Sequence, residues 1–116
     1  MLKNGKYSIK FKTPIGEDGG FVIMEDGKLV GGDSNYIYDG SYYKKGKATK
    51  ARILVDNYTG RNTSIFGPAK YVWLKAVYST TEDGKGFKGK AFVIDVTPDM
   101  PGAKGAAVPI SGRMLD

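Results

Sequence analysis

One stretch of the chain is spaced like a phosphate-binding loop. Gly84–Lys85–Gly86–Phe87–Lys88–Gly89–Lys90–Ala91 carries the first glycine, a four-residue spacer and the Gly-Lys pair. Such a loop holds phosphates on backbone N–H groups, needs a Ser or Thr for magnesium, and opens a helix. Ala91 stands where the hydroxyl belongs, and Phe92–Val93–Ile94–Asp95–Val96 reads as a strand. The stretch is therefore expected to be a hairpin turn with lysines. Asp95, between Ile94 and Val96, could be an acid of raised pKa. A place at the strand end, or a hydrogen bond to the backbone, is the simpler reading. No second carboxylate is near enough in sequence to make an acid–base pair, and no metal-ligand spacing is evident. Histidine and cysteine are both absent. That removes Ser-His-Asp and Cys-His triads, thiolate metal sites and disulfides. The expectation is a protein that is not an enzyme and has no cofactor, metal or catalytic residue.

The eight tyrosines and the excess of Lys and Arg over Asp and Glu, 18 to 12, raise a second chemistry. Aromatic side chains can stack bases while lysines hold phosphates. A stacking platform needs several exposed aromatics on adjacent strands. Here the tyrosines alternate with polar residues, which favours burial with the hydroxyl at a rim. Nucleic acid is not the expected partner, and the net charge of +6 is read as a solubilising excess. Met1–Leu2–Lys3–Asn4–Gly5–Lys6 runs straight into alternation without an apolar signal region. No stretch approaches the length of a membrane helix. A cytoplasmic protein with no membrane partner is expected.

The elements that would position these residues read as strands between glycine turns. The 17 glycines are about twice the usual share of ~7%. Asp18–Gly19, Asp26–Gly27 and Asp83–Gly84 each suggest a tight type I′ hairpin turn. Expected strands are Lys6 to Thr13, Gly20 to Glu25, Lys28 to Gly32, Tyr36 to Tyr43, Ala48 to Tyr58, Tyr71 to Thr80 and Gly86 to Val96. Gly40 inside the fourth suggests a bulge or a bend. Thr59 to Lys70 reads as a loop. Residues 98–116 are either an edge strand or a tail. The 116 residues make one domain, and no segment has a helical period. Consecutive hairpins predict an all-β fold, a small antiparallel up-and-down β-barrel of seven to eight strands, lipocalin-like.

Alternation also assigns faces. Tyr7, Ile9, Phe11, Tyr36, Tyr38, Ile53 and Val55 are expected to line the barrel. They either fill it or enclose a small apolar ligand, so a lipid carrier is the alternative function. The sixth and seventh strands are apolar on both faces, with Phe92, Ile94 and Val96 assigned to one side. An antiparallel strand of that kind must cover its second face. A homodimer through Tyr71, Trp73, Val77, Phe92 and Ile94 is the expectation. Cover by the 59–70 loop or the tail is the alternative.

Two further segments carry a resemblance. Asn4–Gly5–Lys6–Tyr7–Ser8–Ile9–Lys10–Phe11 resembles the opening strand of the GrlR-like negative regulators of type III secretion. Gly31–Gly32–Asp33 followed by Tyr38–Asp39–Gly40 is similar to their Gly-Gly-Asp turn and Tyr-x-Gly strand. The match in order and spacing runs from about residue 4 to 58. The resemblance implies a dimerising lipocalin-like barrel in a bacterium. It also implies a negative regulator that acts by protein binding, sequestering a transcription activator. The best-known member has an acidic run in the loop after the Tyr-x-Gly strand. This chain has Lys44–Lys45–Gly46–Lys47 there, so Lys44, Lys45 and Lys47 are expected to meet a regulatory protein with an acidic surface.

Overall fold

Period-two alternation becomes eight strands. They are β1 (Gly5–Thr13), β2 (Gly16–Glu25), β3 (Lys28–Gly32), β4 (Ile37–Lys45), β5 (Ala48–Asp56), β6 (Tyr71–Thr80), β7 (Gly86–Thr97) and β8 (Ala107–Met114). The computed structural model describes residues 2–13, 16–33, 36–58, 69–97 and 104–115. Each strand pairs antiparallel with the next, and β8 returns to β1. The sheet is a closed up-and-down barrel, which leaves no exposed edge. Both faces follow the pleat. On β6, Val72, Leu74, Ala76 and Tyr78 are buried while Tyr71, Trp73 and Lys75 are exposed.

Inward glycines make room for inward aromatics. Gly89 faces Tyr78 across the β6–β7 pair, and Gly112 faces Phe87 across the β7–β8 pair. A Cβ on Gly112 would lie 2.3 Å from the Phe87 ring. Tyr78 in turn packs on Phe87, with ring centroids 4.9 Å apart. Small and large residues thus alternate around the wall, as a barrel of eight strands requires.

Several local expectations change. Asp18–Gly19 is not a hairpin turn. Asp18 pairs with Phe11 and Gly19 with Lys10, both in the β1–β2 ladder. The ladder continues to Thr13 with Gly16, and residues 14–15 lie outside the described residues. Asp26–Gly27 is the expected I′ turn, with φ of 49° and 85°. Asp83–Gly84 instead belongs to a longer loop, since the last β6–β7 pair is Thr80 with Phe87. Gly40 carries no bulge and pairs regularly with Leu29 and Ile53. It marks a close approach, for a Cβ there would lie 2.3 Å from the Arg52 carbonyl oxygen.

The bulge falls on β7. Trp73 pairs with Asp95 but Leu74 pairs with Val93, so Ile94 is the extra residue. The added residue inverts the alternation beyond it. Val96 is consequently buried, not outward as period two alone predicts, while Ile94 stays exposed. The C-terminal segment is neither an edge nor a tail. Ala107–Met114 pairs on one side with β7 and on the other with β1. Most of the 59–70 loop lies outside the described residues.

Candidate functional site

The barrel interior comes first, because its size decides whether it can hold anything. Tyr7, Ile9, Phe11, Tyr36, Tyr38 and Val55 are buried, and Ile53 packs against them. They fill the space. The residual void among Phe11, Tyr38, Ile53, Leu74 and their neighbours is about 40 Å³. Small-molecule sites run to roughly 300 Å³ and above, and one water occupies about 30 Å³. A lipid does not fit without moving core side chains. The lining residues are a core.

One end of the barrel gathers the β4–β5 hairpin, the N-terminal residues and the β6–β7 loop. Lys44, Lys45 and Lys47 are all exposed there. Gly46 takes φ 64°, and Lys45 pairs with Ala48 across this two-residue turn. Lys44 and Lys47 face an open cleft of about 540 Å³, whose other wall includes Thr80, Glu82 and Asp83. Lys44 and Lys47 therefore line one cleft, and that cleft also carries carboxylates.

Asp83 is the clip of the β6–β7 loop. Its carboxylate accepts from the Thr81 hydroxyl at 2.7 Å, the Lys85 backbone N–H at 2.9 Å and the Arg113 guanidinium at 2.6 Å. The Thr81 hydroxyl, the Lys85 N–H and Arg113 hold its pKa well below the usual carboxylate range. A lowered folded-state pKa contributes stability above the unfolded value of about 4, and that contribution is lost as pH falls through the folded value. Wild type is expected to lose more stability than Asp83→Asn between neutral pH and a pH below about 4. Urea midpoints of both proteins at the two pH values measure this. Equal losses would show that the clip has no charge dependence.

The outer wall carries two apolar surfaces. The residues expected at a dimer interface point outward. Tyr71, Trp73 and Ile94 are exposed, and Val77 and Phe92 are partly so. Phe21, Ile23, Val30 and Ile37 form a second surface, each about half exposed. Ile23 and Val30 are direct cross-strand partners, and Phe21 and Ile37 flank Gly32. This surface is absent from the sequence reading. Its signal was available in Phe21–Val22–Ile23–Met24 and Leu29–Val30, which are apolar on both faces like β6.

Other candidate groups are structural. The Lys85–Ala91 segment is loop and strand, with no helix to receive a phosphate. Asp95 accepts the Val96 N–H at 2.9 Å and lies 3.7 Å from the Lys104 ammonium. Asp33 accepts the Tyr36 N–H at 2.8 Å and the Tyr38 hydroxyl, which staples the β3–β4 connection. A Cβ on Gly31 would lie 2.0 Å from the Phe21 carbonyl oxygen. The Gly-Gly-Asp and Tyr-x-Gly motifs are thus parts of the barrel's construction. Among the described residues no group of three His, Cys, Asp or Glu could hold a metal.

Fold and surface together define a small closed antiparallel barrel with a filled interior and an apolar and basic exterior. No protein-family profile matches the chain, and no curated protein is significantly similar to it.

Proposed function

We propose that the protein is a non-enzymatic cytoplasmic regulator that binds other proteins through its outer wall. The observation that carries this reading is a barrel filled to within about 40 Å³ whose large apolar side chains also face outward. A barrel that encloses no ligand space has its outer surface left for binding. A lipid-embedded barrel has an outer band that is apolar throughout. Here Lys10, Lys75 and Lys90 stand outward in mid-strand.

The resemblance to GrlR-like regulators supports a negative regulator of type III secretion gene expression in a bacterium, acting as a homodimer. The regulated partner has an acidic surface that meets Lys44, Lys45 and Lys47. Like charges placed across an interface cost several kcal/mol. Capture with tagged protein from cells of its source is therefore expected to recover a specific protein. Lys44→Glu, Lys45→Glu and Lys47→Glu combined should reduce recovery by about tenfold or more. Recovery of no specific protein, or recovery indifferent to the three lysines, would overturn the proposal.

A further inference from the structure

Closure of the barrel collects lysines that are dispersed in the sequence. Strands β5 to β8 and β1 follow one another round half of the closed wall, with β1 across the barrel from β5. They contain only two carboxylates, Asp56 and Asp95, and each has a lysine partner, Lys70 at 2.7 Å and Lys104 at 3.7 Å. The same strands present Lys10, Lys50, Arg52, Lys75, Lys88 and Lys90. None of these six has an ion-pair partner among the described residues.

Their register makes the clustering costly. Arg52 lies directly opposite Lys75. Val77 has Lys50 on one side and Lys90 on the other. Lys88 and Lys10 both flank Ser111 on β8. Like charges directly opposite one another destabilise a sheet. No carboxylate of the described residues pairs with them, so the arrangement suits an anion from outside. With strands ~4.8 Å apart, the surface curves through about 19 Å of arc from β5 to β1.

Aromatic side chains sit within this field. Trp73 is 40% exposed, and Phe92, partly exposed, lies directly opposite Lys75. Trp73 and Phe92 occupy adjacent strands in diagonal positions, on the order of 7 Å apart. That is the arrangement a base-stacking platform requires. A protein partner fits the same surface less well. Protein interfaces are depleted in lysine, whereas nucleic-acid interfaces are strongly positive.

We propose that the outer wall from β5 round to β1 binds single-stranded nucleic acid, with phosphates on Lys50, Arg52, Lys75, Lys88 and Lys90 and bases stacked on Trp73 and Phe92. This goes beyond the protein-binding reading and does not rest on it. The span accommodates on the order of four nucleotides, at the low end for small barrels.

Trp73 is the only tryptophan in the chain, so its fluorescence reports contact directly. The full protein is titrated with an oligothymidylate of about twelve nucleotides. Quenching of Trp73 is expected, with affinity falling roughly 50-fold from ~50 to ~200 mM salt for four phosphate contacts. Lys75→Gln with Lys90→Gln, which adds no new charge, should weaken binding about tenfold and reduce the salt slope. Trp73→Ala, followed by anisotropy of a labelled oligomer, should weaken it about tenfold at an unchanged slope, while Trp73→Phe retains most of the affinity. Absence of binding at low salt would overturn the proposal. So would binding that is insensitive to Trp73→Ala. If poly-L-glutamate quenches Trp73 as strongly as the oligomer, the surface is a protein-docking site instead.

Discussion

Gly89→Ala is expected to destabilise the barrel by about 3 kcal/mol, at the upper end for overpacking a core. Gly89 points inward between Tyr78 on β6 and Ile110 on β8. A Cβ there would lie 2.1 Å from the Val77 carbonyl oxygen and 2.6 Å from the Tyr78 Cα. Both are backbone atoms, so no change of rotamer relieves the clash. The strands must separate, and Tyr78 and Phe87, which pack at 4.9 Å, must move with them. Gly46→Ala is the control. Its Cβ would meet nothing within 4 Å, and its φ of 64° costs only about 1–2 kcal/mol. Urea unfolding followed by Trp73 fluorescence compares the two. A Gly89→Ala protein within about 1 kcal/mol of wild type would show that the wall is less tightly coiled than described.

The second large effect concerns self-association. Ile23→Glu with Val30→Glu is expected to convert a dimer into a monomer, while Trp73→Ser leaves the dimer intact. The reason lies in one row across the wall, Lys6–Ile23–Val30–Asp39. A two-fold axis through its centre sets Ile23 against Val30 of the second copy and Lys6 against its Asp39. The row is complementary to its own reverse. The stripe on β6 and β7 is not, because the same operation about the row Arg52–Lys75–Phe92 sets Lys75 against its own copy. Sedimentation across a range of concentrations should give twice the chain mass of 12.6 kDa for wild type and a single mass for the double variant. If Trp73→Ser dissociates the dimer and the double variant does not, the interface lies where the β6 and β7 alternation places it. In that case the nucleic-acid surface is lost with it.

Both effects show how differently the core and the surface were legible. The inward faces of β1, β4 and β5 followed directly from Tyr7–Ile9–Phe11, Tyr36–Tyr38 and Ile53–Val55, whereas β6, apolar on both faces, needed its neighbours to decide. A pleat sends alternate side chains to opposite faces whatever the strand pairs with. The same rule failed at Val96, where one bulged residue shifted the phase. It failed at Asp18–Gly19 as well, because a turn signal competes with ladder pairing to β1, and pairing is not local. The second apolar surface has the same signal, since β2 and β3 carry the two-faced pattern of β6.

The sequence by itself determined the strands, most of the inward side chains and the lack of histidine and cysteine chemistry, since each depends on neighbouring residues alone. It also marked the basic hairpin at Lys44, Lys45 and Lys47. Only the tertiary structure decided that β8 closes the barrel and that the interior is filled. It alone showed that Asp83 reaches Arg113 and that lysines from four strands lie along one half of the wall. Those outcomes depend on which strand lies beside which, and in what register. Residues such as Lys10 and Lys88 are far apart along the chain, and only closure sets them on either side of Ser111.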